Sequence, residues 1–193
     1  MQSNMDLNAL VKLVANTLKE LDTESPIHKS FKPGIGPFGE PQLIKALALR
    51  LISQGFAART RRAPDLEIGA DWAIEFKIVR PFGDDGRIAE SWSQNLLHPY
   101  EGNTSLIGDA LKLLGRNDFE NRCVFAICYE HNPPEVNLEP LVSSFELISR
   151  SVMDIPLSRR VEVLRSGLVH PTHQTLRCVA WSLTNSLPHN IQA

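Results

Sequence analysis

A short stretch in the first half of the chain constrains the fold most strongly. Leu66 and Ile68 alternate with polar residues, and apolar residues alternate again from Trp72 to Ile78, after the connection Gly69-Ala70-Asp71. An alternation with period two is typical of half-buried strands, and a glycine in a three-residue connection favours a hairpin turn. The stretch therefore predicts an antiparallel hairpin with one apolar face.

The register of this hairpin decides where its charged side chains lie. With three residues in the loop, Asp65 pairs with Glu75, and directly paired residues share a face. A two-residue loop would mix apolar and acidic residues on both faces, so the apolar pattern favours three. Asp65, Glu75 and Lys77 then lie on one side. Two adjacent carboxylates are tolerable around a divalent cation, their hard oxygens suit Mg²⁺, and Lys77 could hold a water or offset phosphoryl charge.

Pro64-Asp65 followed by Glu75-Phe76-Lys77 resembles the signature of the PD-(D/E)XK nuclease superfamily, which has the restriction-endonuclease-like fold. The resemblance covers residues 38–129. It implies an α/β fold, a three-layer sandwich with a central mixed β-sheet flanked by helices. It also implies that Asp65, Glu75 and the backbone carbonyl of Phe76 bind metal, while Lys77 serves the attacking water.

Two further positions match the family pattern. Its acidic residue on the helix before the first core strand corresponds to Glu40, a catalytic residue in a second metal position. Pro41 is a natural first helical residue, which would leave Glu40 at the cap. The family's polar residue on the helix after the lysine strand corresponds to Gln94, which is thereby expected to contact nucleic acid.

Other interpretations of these residues remain open. Glu75 and Lys77 could be a solvated pair on an ordinary surface hairpin. A non-catalytic nucleic-acid-binding or scaffold protein could keep the same fold, although a binding module has no need for carboxylates facing phosphate. His170 and His173 would favour a different enzyme only if their loop met an acidic partner in a pocket, and two ordinary loop histidines are the simpler interpretation.

Length and composition fit a single domain over residues 1–193, in which 42% of residues are hydrophobic and 22% are charged. It divides into an N-terminal helix and loop (1–37), a catalytic core (38–129), and a C-terminal helix and strands (130–193). Neither a membrane-spanning run nor a signal-peptide pattern is found, so a cytoplasmic protein without a membrane partner is expected. Cys123, Cys128 and Cys178 lie in apolar runs without metal-ligand spacing and are predicted to be reduced core thiols.

The net charge of −2 is not that of a protein that coats nucleic acid. Binding depends on local patches, however, and five arginines flank the acidic hairpin. Two interpretations of these arginines carry equal weight: they contact phosphates, or they form an ordinary solvated face of the protein. They are Arg59, Arg61, Arg62, Arg80 and Arg87.

Helices and strands alternate along the rest of the chain. Helices are predicted after Asp6 and over residues 41–54, 88–97, 105–114 and 138–150, and strands over residues 56–62, 123–129, 161–164 and 177–183. Residues 22–39 form a long loop, which is either a linker or an approach to the substrate backbone through its glycines and Lys29 or Lys32. Asp109 and Lys112, three apart, are interpreted as a surface pair.

Together these features predict a Mg²⁺-dependent nuclease, with Mn²⁺ able to substitute, that hydrolyses phosphodiester bonds in DNA. The family suggests restriction, phage defence or DNA repair as settings. No dinucleotide fingerprint or Walker loop is present, so no organic cofactor is expected. One site cuts one strand, so a homodimer is expected for double-strand breaks. Its candidate surface is the apolar face of the N-terminal helix, if the core leaves that face uncovered.

Overall fold

The computed structural model describes residues 5–25, 32–98 and 105–184. The helices are α1 (Leu7–Glu24), α2 (Glu40–Ser53), α3 (Gln94–Leu97), α4 (Leu106–Leu114) and α5 (Glu139–Ser151). The strands are β1 (Ala58–Thr60), β2 (Leu66–Ile68), β3 (Trp72–Val79), β4 (Asn121–Glu130), β5 (Val161–Ser166) and β6 (Thr175–Leu183).

The strands form one sheet in the order β1-β2-β3-β4-β6-β5. Only β3 and β4 pair in parallel, and the other neighbours are antiparallel. Helices α1 and α2 share a hydrophobic core with one face of the sheet, here called the α1 face. Helices α3, α4 and α5 share a second core with the opposite face, the α4 face. The expected α/β architecture, a mixed sheet flanked by helices, is confirmed.

The hairpin has the predicted register. Leu66 pairs with Ile74 and Ile68 pairs with Trp72 across a three-residue loop, in which Gly69 has a φ of 64°. These apolar side chains are buried in the core of the α1 face. The apolar pattern fixes strand register, because a shift by one residue would move the charged side chains of the hairpin into the core of the α1 face. The alternate residues, including Glu75 and Lys77, consequently lie on the α4 face.

Helix α1 is covered by the protein itself, which corrects the expectation that its apolar face could form a dimer surface. Asp6 caps the helix by accepting a hydrogen bond from the Ala9 N–H. Leu10, Val14 and Leu18 are fully buried, and the helix packs against β5, β6 and α2. An apolar stripe predicts burial, but it cannot distinguish burial in the chain's own core from burial by a second copy.

Gly34 and Gly36 in the long loop face the protein interior, so the idea that these two glycines approach a substrate backbone is wrong, whereas Gly39 is exposed. Gly34, Ile35 and Gly36 are buried. The buried Asp22 carboxylate accepts hydrogen bonds from the Ile35 N–H at 3.0 Å and the Val169 N–H at 2.8 Å. Lys32 forms an ion pair with Asp84, and Lys29 lies outside the described residues.

Replacing Gly34 with alanine is expected to lower the free energy of unfolding by about 2 kcal/mol or more. Gly34 has a φ of 72°, and a Cβ there would meet the Asp22 carboxylate, which its two hydrogen bonds hold in place. Gly115→Ala is the matched control, because φ is −74° there and the nearest atom to a new Cβ lies at 3.5 Å. Denaturant titration of both variants checks this, and equal losses would contradict it.

Two predicted elements are shorter than expected. Only Gln94–Leu97 of the predicted helix over residues 88–97 is helical. The residues before it turn back on themselves, with Phe82 bridged to Ile88 and Gly86 at a φ of 78°. The predicted strand over residues 56–62 is limited to β1, whose partner β2 has three residues. The remaining helix and strand predictions agree with the structure to within a few residues.

The three cysteines are free and buried, as predicted. Burial raises the pKa of each thiol, which keeps it protonated. Among the described residues, no helix has the length and apolar character needed to cross a membrane.

Candidate active site

Strand β3 carries two ionisable side chains into the core of the α4 face. Glu75 and Lys77 are only 4% and 8% exposed. They lie on the same face of β3 as Ala73 and Val79, which pack with α4. Charged side chains are almost never buried this deeply unless they are paired, so the neighbours of both groups define a site.

Asp65 lies immediately before β2 and meets Glu75 across the hairpin. One Asp65 oxygen accepts a hydrogen bond from the Phe76 N–H at 2.8 Å, and the Asp65 carboxylate is close enough to Glu75 for its negative charge to act on that carboxyl group. Burial, together with the negative charges of Asp65 and Asp109, raises the pKa of Glu75 to about 9. In this arrangement Glu75 binds a proton at neutral pH.

Lys77 is anchored by three acceptors. Its ammonium lies 3.0 Å from Glu40 Oε1 and 2.7 Å from Asp109 Oδ2, and it donates to the Phe76 carbonyl at 2.8 Å. Burial alone would lower the pKa of Lys77, but the Glu40 and Asp109 carboxylates outweigh it and hold that pKa above its ordinary value. The ammonium therefore stays charged, and its position is fixed from two helices.

Asp109 was missed as a site residue, and its interpretation as part of a surface pair is wrong. Its side chain is buried and bridges Lys77 to Lys112, whose Nζ lies 2.7 Å from Oδ1. Ser105 caps α4 and so fixes its start. A signal existed in the sequence. Asp109 lies three residues after Leu106 and four before Leu113, which places it on the apolar stripe of α4, where an acid needs a buried partner.

Glu40 is the first residue of α2, one position further into the helix than Pro41 predicts. One of its oxygens binds Lys77, and the other accepts a hydrogen bond from the Ile78 N–H at 3.2 Å. A carboxylate in the first turn of a helix is also stabilised by the helix dipole. Both Glu40 oxygens are thus engaged by the chain.

The charges in this cluster divide into two sets. Lys77 neutralises Glu40 and Asp109, whereas within the described residues no Lys or Arg side chain forms a salt bridge with Asp65 or Glu75. No group of three or more His, Cys, Asp or Glu side chains that could hold a metal ion occurs within the described residues. Mg²⁺ does not require one, because it keeps several waters and is bound through one or two carboxylates plus phosphate. The Asp65–Glu75 pair, with its raised Glu75 pKa, fits such an ion.

Two clefts meet at Glu40. The first, here called the arginine cleft, has a volume of about 380 Å³ and is lined by Glu40, Lys45, Thr60, Arg61, Arg62 and Asp65, among others. The second, the tryptophan cleft, has a volume of about 360 Å³ and is lined by Glu40, Arg80, Gly83, Glu90, Trp92 and Asn95, among others. The carboxylate cluster is therefore reached from two sides.

The flanking arginines occupy different positions. Arg61 and Arg62 line the arginine cleft, and Arg80 lines the tryptophan cleft. Arg59 forms an ion pair with the buried Glu67, which also binds Arg61 at 3.0 Å. Arg87 is on an exposed turn, 3.7 Å from Asp85.

Gln94 is exposed at the start of α3 and lines neither cleft. The next residue, Asn95, lines the tryptophan cleft and donates to the Ile78 carbonyl at 2.8 Å. Asn95 and Trp92 were not identified as site residues from the sequence, which predicted a continuous helix over residues 88–97 and singled out Gln94 on it.

His170 and His173 are packed in the structure with stacked rings, 4.6 Å between centroids. His170 Nδ1 accepts hydrogen bonds from the Thr172 and His173 N–H groups, and His173 Nε2 lies 3.0 Å from the Phe82 carbonyl. Burial lowers the pKa of His173 to about 4. Asp84 is near enough to act on both rings, but its carboxylate is paired with Lys32. The pair holds a loop in place, as the simpler interpretation predicted.

Comparison with known proteins gives no match: no family model, curated protein or solved structure is detectably similar to this chain.

Proposed function

We propose that this chain is a cytoplasmic Mg²⁺-dependent nuclease of the PD-(D/E)XK superfamily, with the restriction-endonuclease-like fold, that hydrolyses phosphodiester bonds in DNA. The observation that carries the proposal is that the half-buried Asp65 faces the buried Glu75 beside an anchored Lys77, while no described Lys or Arg side chain forms a salt bridge with either acid. A buried acid whose pKa is raised by burial and by a neighbouring carboxylate, as that of Glu75 is, is typical of functional sites.

Asp65 and Glu75 would hold the metal, and Mn²⁺ is expected to substitute for Mg²⁺. When bound, the ion supplies Lewis acidity to the scissile phosphate and lowers the pKa of the attacking water. Glu40 keeps its family assignment as a second metal position only if it releases Lys77 or the Ile78 N–H. In the arrangement described above, Glu40 and Asp109 act as positioning residues for Lys77.

Lys77 orients the attacking water and offsets charge on the phosphoryl oxygens. An ammonium has three N–H donors, and those of Lys77 face Glu40, Asp109 and the Phe76 carbonyl. Lys77 therefore holds a water by exchanging one acceptor. The Phe76 carbonyl is the uncharged and so the weakest of the three. This exchange also frees the carbonyl oxygen that the family pattern assigns to the metal.

The two clefts give the DNA backbone a path across the carboxylates. Lys45, Arg61 and Arg62 supply positive charge on one side, and Arg80 supplies it on the other. Contacts of this kind fix the register of a backbone without reading its sequence. Restriction, phage defence and DNA repair are settings that would each use such an enzyme.

Supercoiled and linear DNA, incubated with the protein in Mg²⁺, Mn²⁺ or EDTA, test the proposal. We expect cleavage in both metals and none in EDTA. Asp65→Asn is expected to remove cleavage together with Mg²⁺ binding measured by calorimetry, because it removes one of two charged metal ligands. Asp71→Asn, in the loop of the same hairpin, is the matched control and should retain both.

Unchanged Mg²⁺ affinity in Asp65→Asn would refute the role given to that residue. DNA binding without cleavage in either metal would instead favour a non-catalytic nucleic-acid-binding protein. Sedimentation of the protein on DNA reports whether two copies act together, as the proposed homodimer requires for double-strand breaks.

A further inference from the structure

The tryptophan cleft contains a cation whose charge the protein does not balance directly. Arg80 is half-buried at the end of β3. It donates to the Phe38 carbonyl at 2.6 Å, and its guanidinium lies 5.8 Å from the centre of the Tyr129 ring. Among the described residues, no carboxylate forms a salt bridge with it, whereas Lys77 next to the same cleft has two. A desolvated arginine without a carboxylate suits an anionic ligand.

Trp92 supplies the aromatic surface of the same cleft. Its side chain is half-buried and packs in part against the core of the α4 face. The residue before it, Ser91, has a φ of 54°, in the left-handed region that non-glycine residues rarely adopt. Backbone strain of this kind persists where the surrounding structure fixes it, and it is concentrated at functional sites. Here the left-handed conformation of Ser91 determines the direction in which the Trp92 side chain projects from the backbone.

From this combination we infer that the tryptophan cleft binds one unpaired nucleotide beside the scissile bond, with its phosphate on Arg80 and its base stacked on Trp92. The inference rests on the proposed nuclease function. A volume of about 360 Å³ is at the small end of ligand pockets and suits a single nucleotide. The cleft is also lined by the Glu40 and Glu90 carboxylates, which repel phosphate, so Arg80 is the lining side chain that can hold it.

The substrate class follows from base pairing. In a duplex, both faces of a base are covered by its neighbours, so a base can stack on Trp92 only where the strand is single or the base is turned out. The site therefore selects DNA with a single-stranded segment, such as an overhang, a flap or a gap, over blunt duplex.

Affinity for single-stranded and blunt duplex DNA, measured in EDTA, tests the inference. Trp92→Leu keeps apolar packing against the core but removes the π face, and we expect it to weaken binding of a thymidine dodecamer by about tenfold or more. Binding of blunt duplex should change by less than about threefold, because duplex contacts are to phosphates. Trp92→Phe restores a stacking face and should recover most of the single-strand affinity.

Tryptophan fluorescence gives a second readout. Trp72 and Trp181 are 3% and 0% exposed, whereas Trp92 lines an open cleft. Addition of the dodecamer should therefore quench the fluorescence of the wild-type protein, and the quenching should be absent in Trp92→Phe. Equal losses of single-strand and duplex affinity in Trp92→Leu, or quenching that persists in Trp92→Phe, would overturn the inference.

These measurements are independent of cleavage. Selective single-strand binding through Trp92 without any metal-dependent cleavage would refute the proposed nuclease function. It would still support nucleotide binding in the tryptophan cleft. Cleavage that depends neither on Trp92 nor on whether the DNA is single-stranded would refute nucleotide binding in the tryptophan cleft. It would still support the proposed nuclease function.

Discussion

Replacing Lys77 with methionine is expected to slow DNA cleavage by about 10²- to 10³-fold, the range seen when one preorganised electrostatic contact to a reacting group is lost. Methionine keeps the length and apolar stem of lysine but removes the charge. Oligonucleotide affinity in EDTA should change by less than about threefold, because the lysine acts on the water and on transition-state charge.

The matched control is Lys112→Met. It removes the other cation bound to Asp109, which lies 2.7 Å away at Oδ1, but its side chain is half-exposed and contacts neither Glu40 nor Phe76. Cleavage by this variant should slow by less than about threefold. Comparable losses in the two variants would mean that Asp109 needs neutralisation by any cation and that Lys77 has no special role.

Stability needs to be measured beside activity for Lys77→Met. Removal of one partner from a buried ion pair destabilises a protein by about 3 kcal/mol, because the other charge remains buried. Asp109 is 3% exposed, so the variant should be assayed well below its melting temperature. Loss of activity in a protein with an unchanged circular dichroism spectrum is the informative outcome.

The second large effect concerns Glu75 in the metal-free protein. Its pKa is raised from the ordinary 4.5 to about 9, so the folded state binds a proton that the unfolded state has released. The stability that this proton contributes is fully present below pH 4.5 and is lost as pH rises toward 9. Between pH 7.5 and pH 9, the free energy of unfolding should fall by about 2 kcal/mol because of this group.

Glu75→Gln should abolish that slope and be more stable than the wild-type protein above pH 7.5. The buried histidines titrate below this window, since burial lowers the pKa of both. Mg²⁺ at pH 8 should raise the melting temperature of the wild-type protein and not that of the variant. A ligand stabilises the folded state only if that state binds the ligand, and the variant lacks one of the two metal-binding carboxylates. Parallel pH profiles for the two proteins would contradict the raised pKa of Glu75.

The parts of the site that could be predicted from the sequence are those that depend on local periodicity. The pairing of Leu66 with Ile74, which brings Asp65 to Glu75, follows from a period-two pattern and a three-residue loop. Burial of one face allows a single register, so neighbouring residues within one hairpin are determined by the stretch itself.

The missed residues come from elements that meet the hairpin only in the folded chain. Asp109 reaches Lys77 from α4, and no local pattern reports which strand a helix will cover. Trp92 and Asn95 were not singled out, because the pattern predicts a continuous helix over residues 88–97 that Ser91, in the left-handed region, interrupts. The position of α1 could not be predicted for a similar reason, since the apolar stripe of an amphipathic helix does not indicate which surface covers it.

The parallel pairing of β3 with β4 has a consequence for when the lysine becomes oriented. The crossover between these strands contains α4, whereas the hairpin closes over a three-residue loop. Local hairpins form early, and contacts that close long loops form later. A nascent or partly folded chain can therefore contain the paired acids while Lys77 still lacks its Asp109 anchor, so competence for cleavage is tied to completion of the tertiary fold.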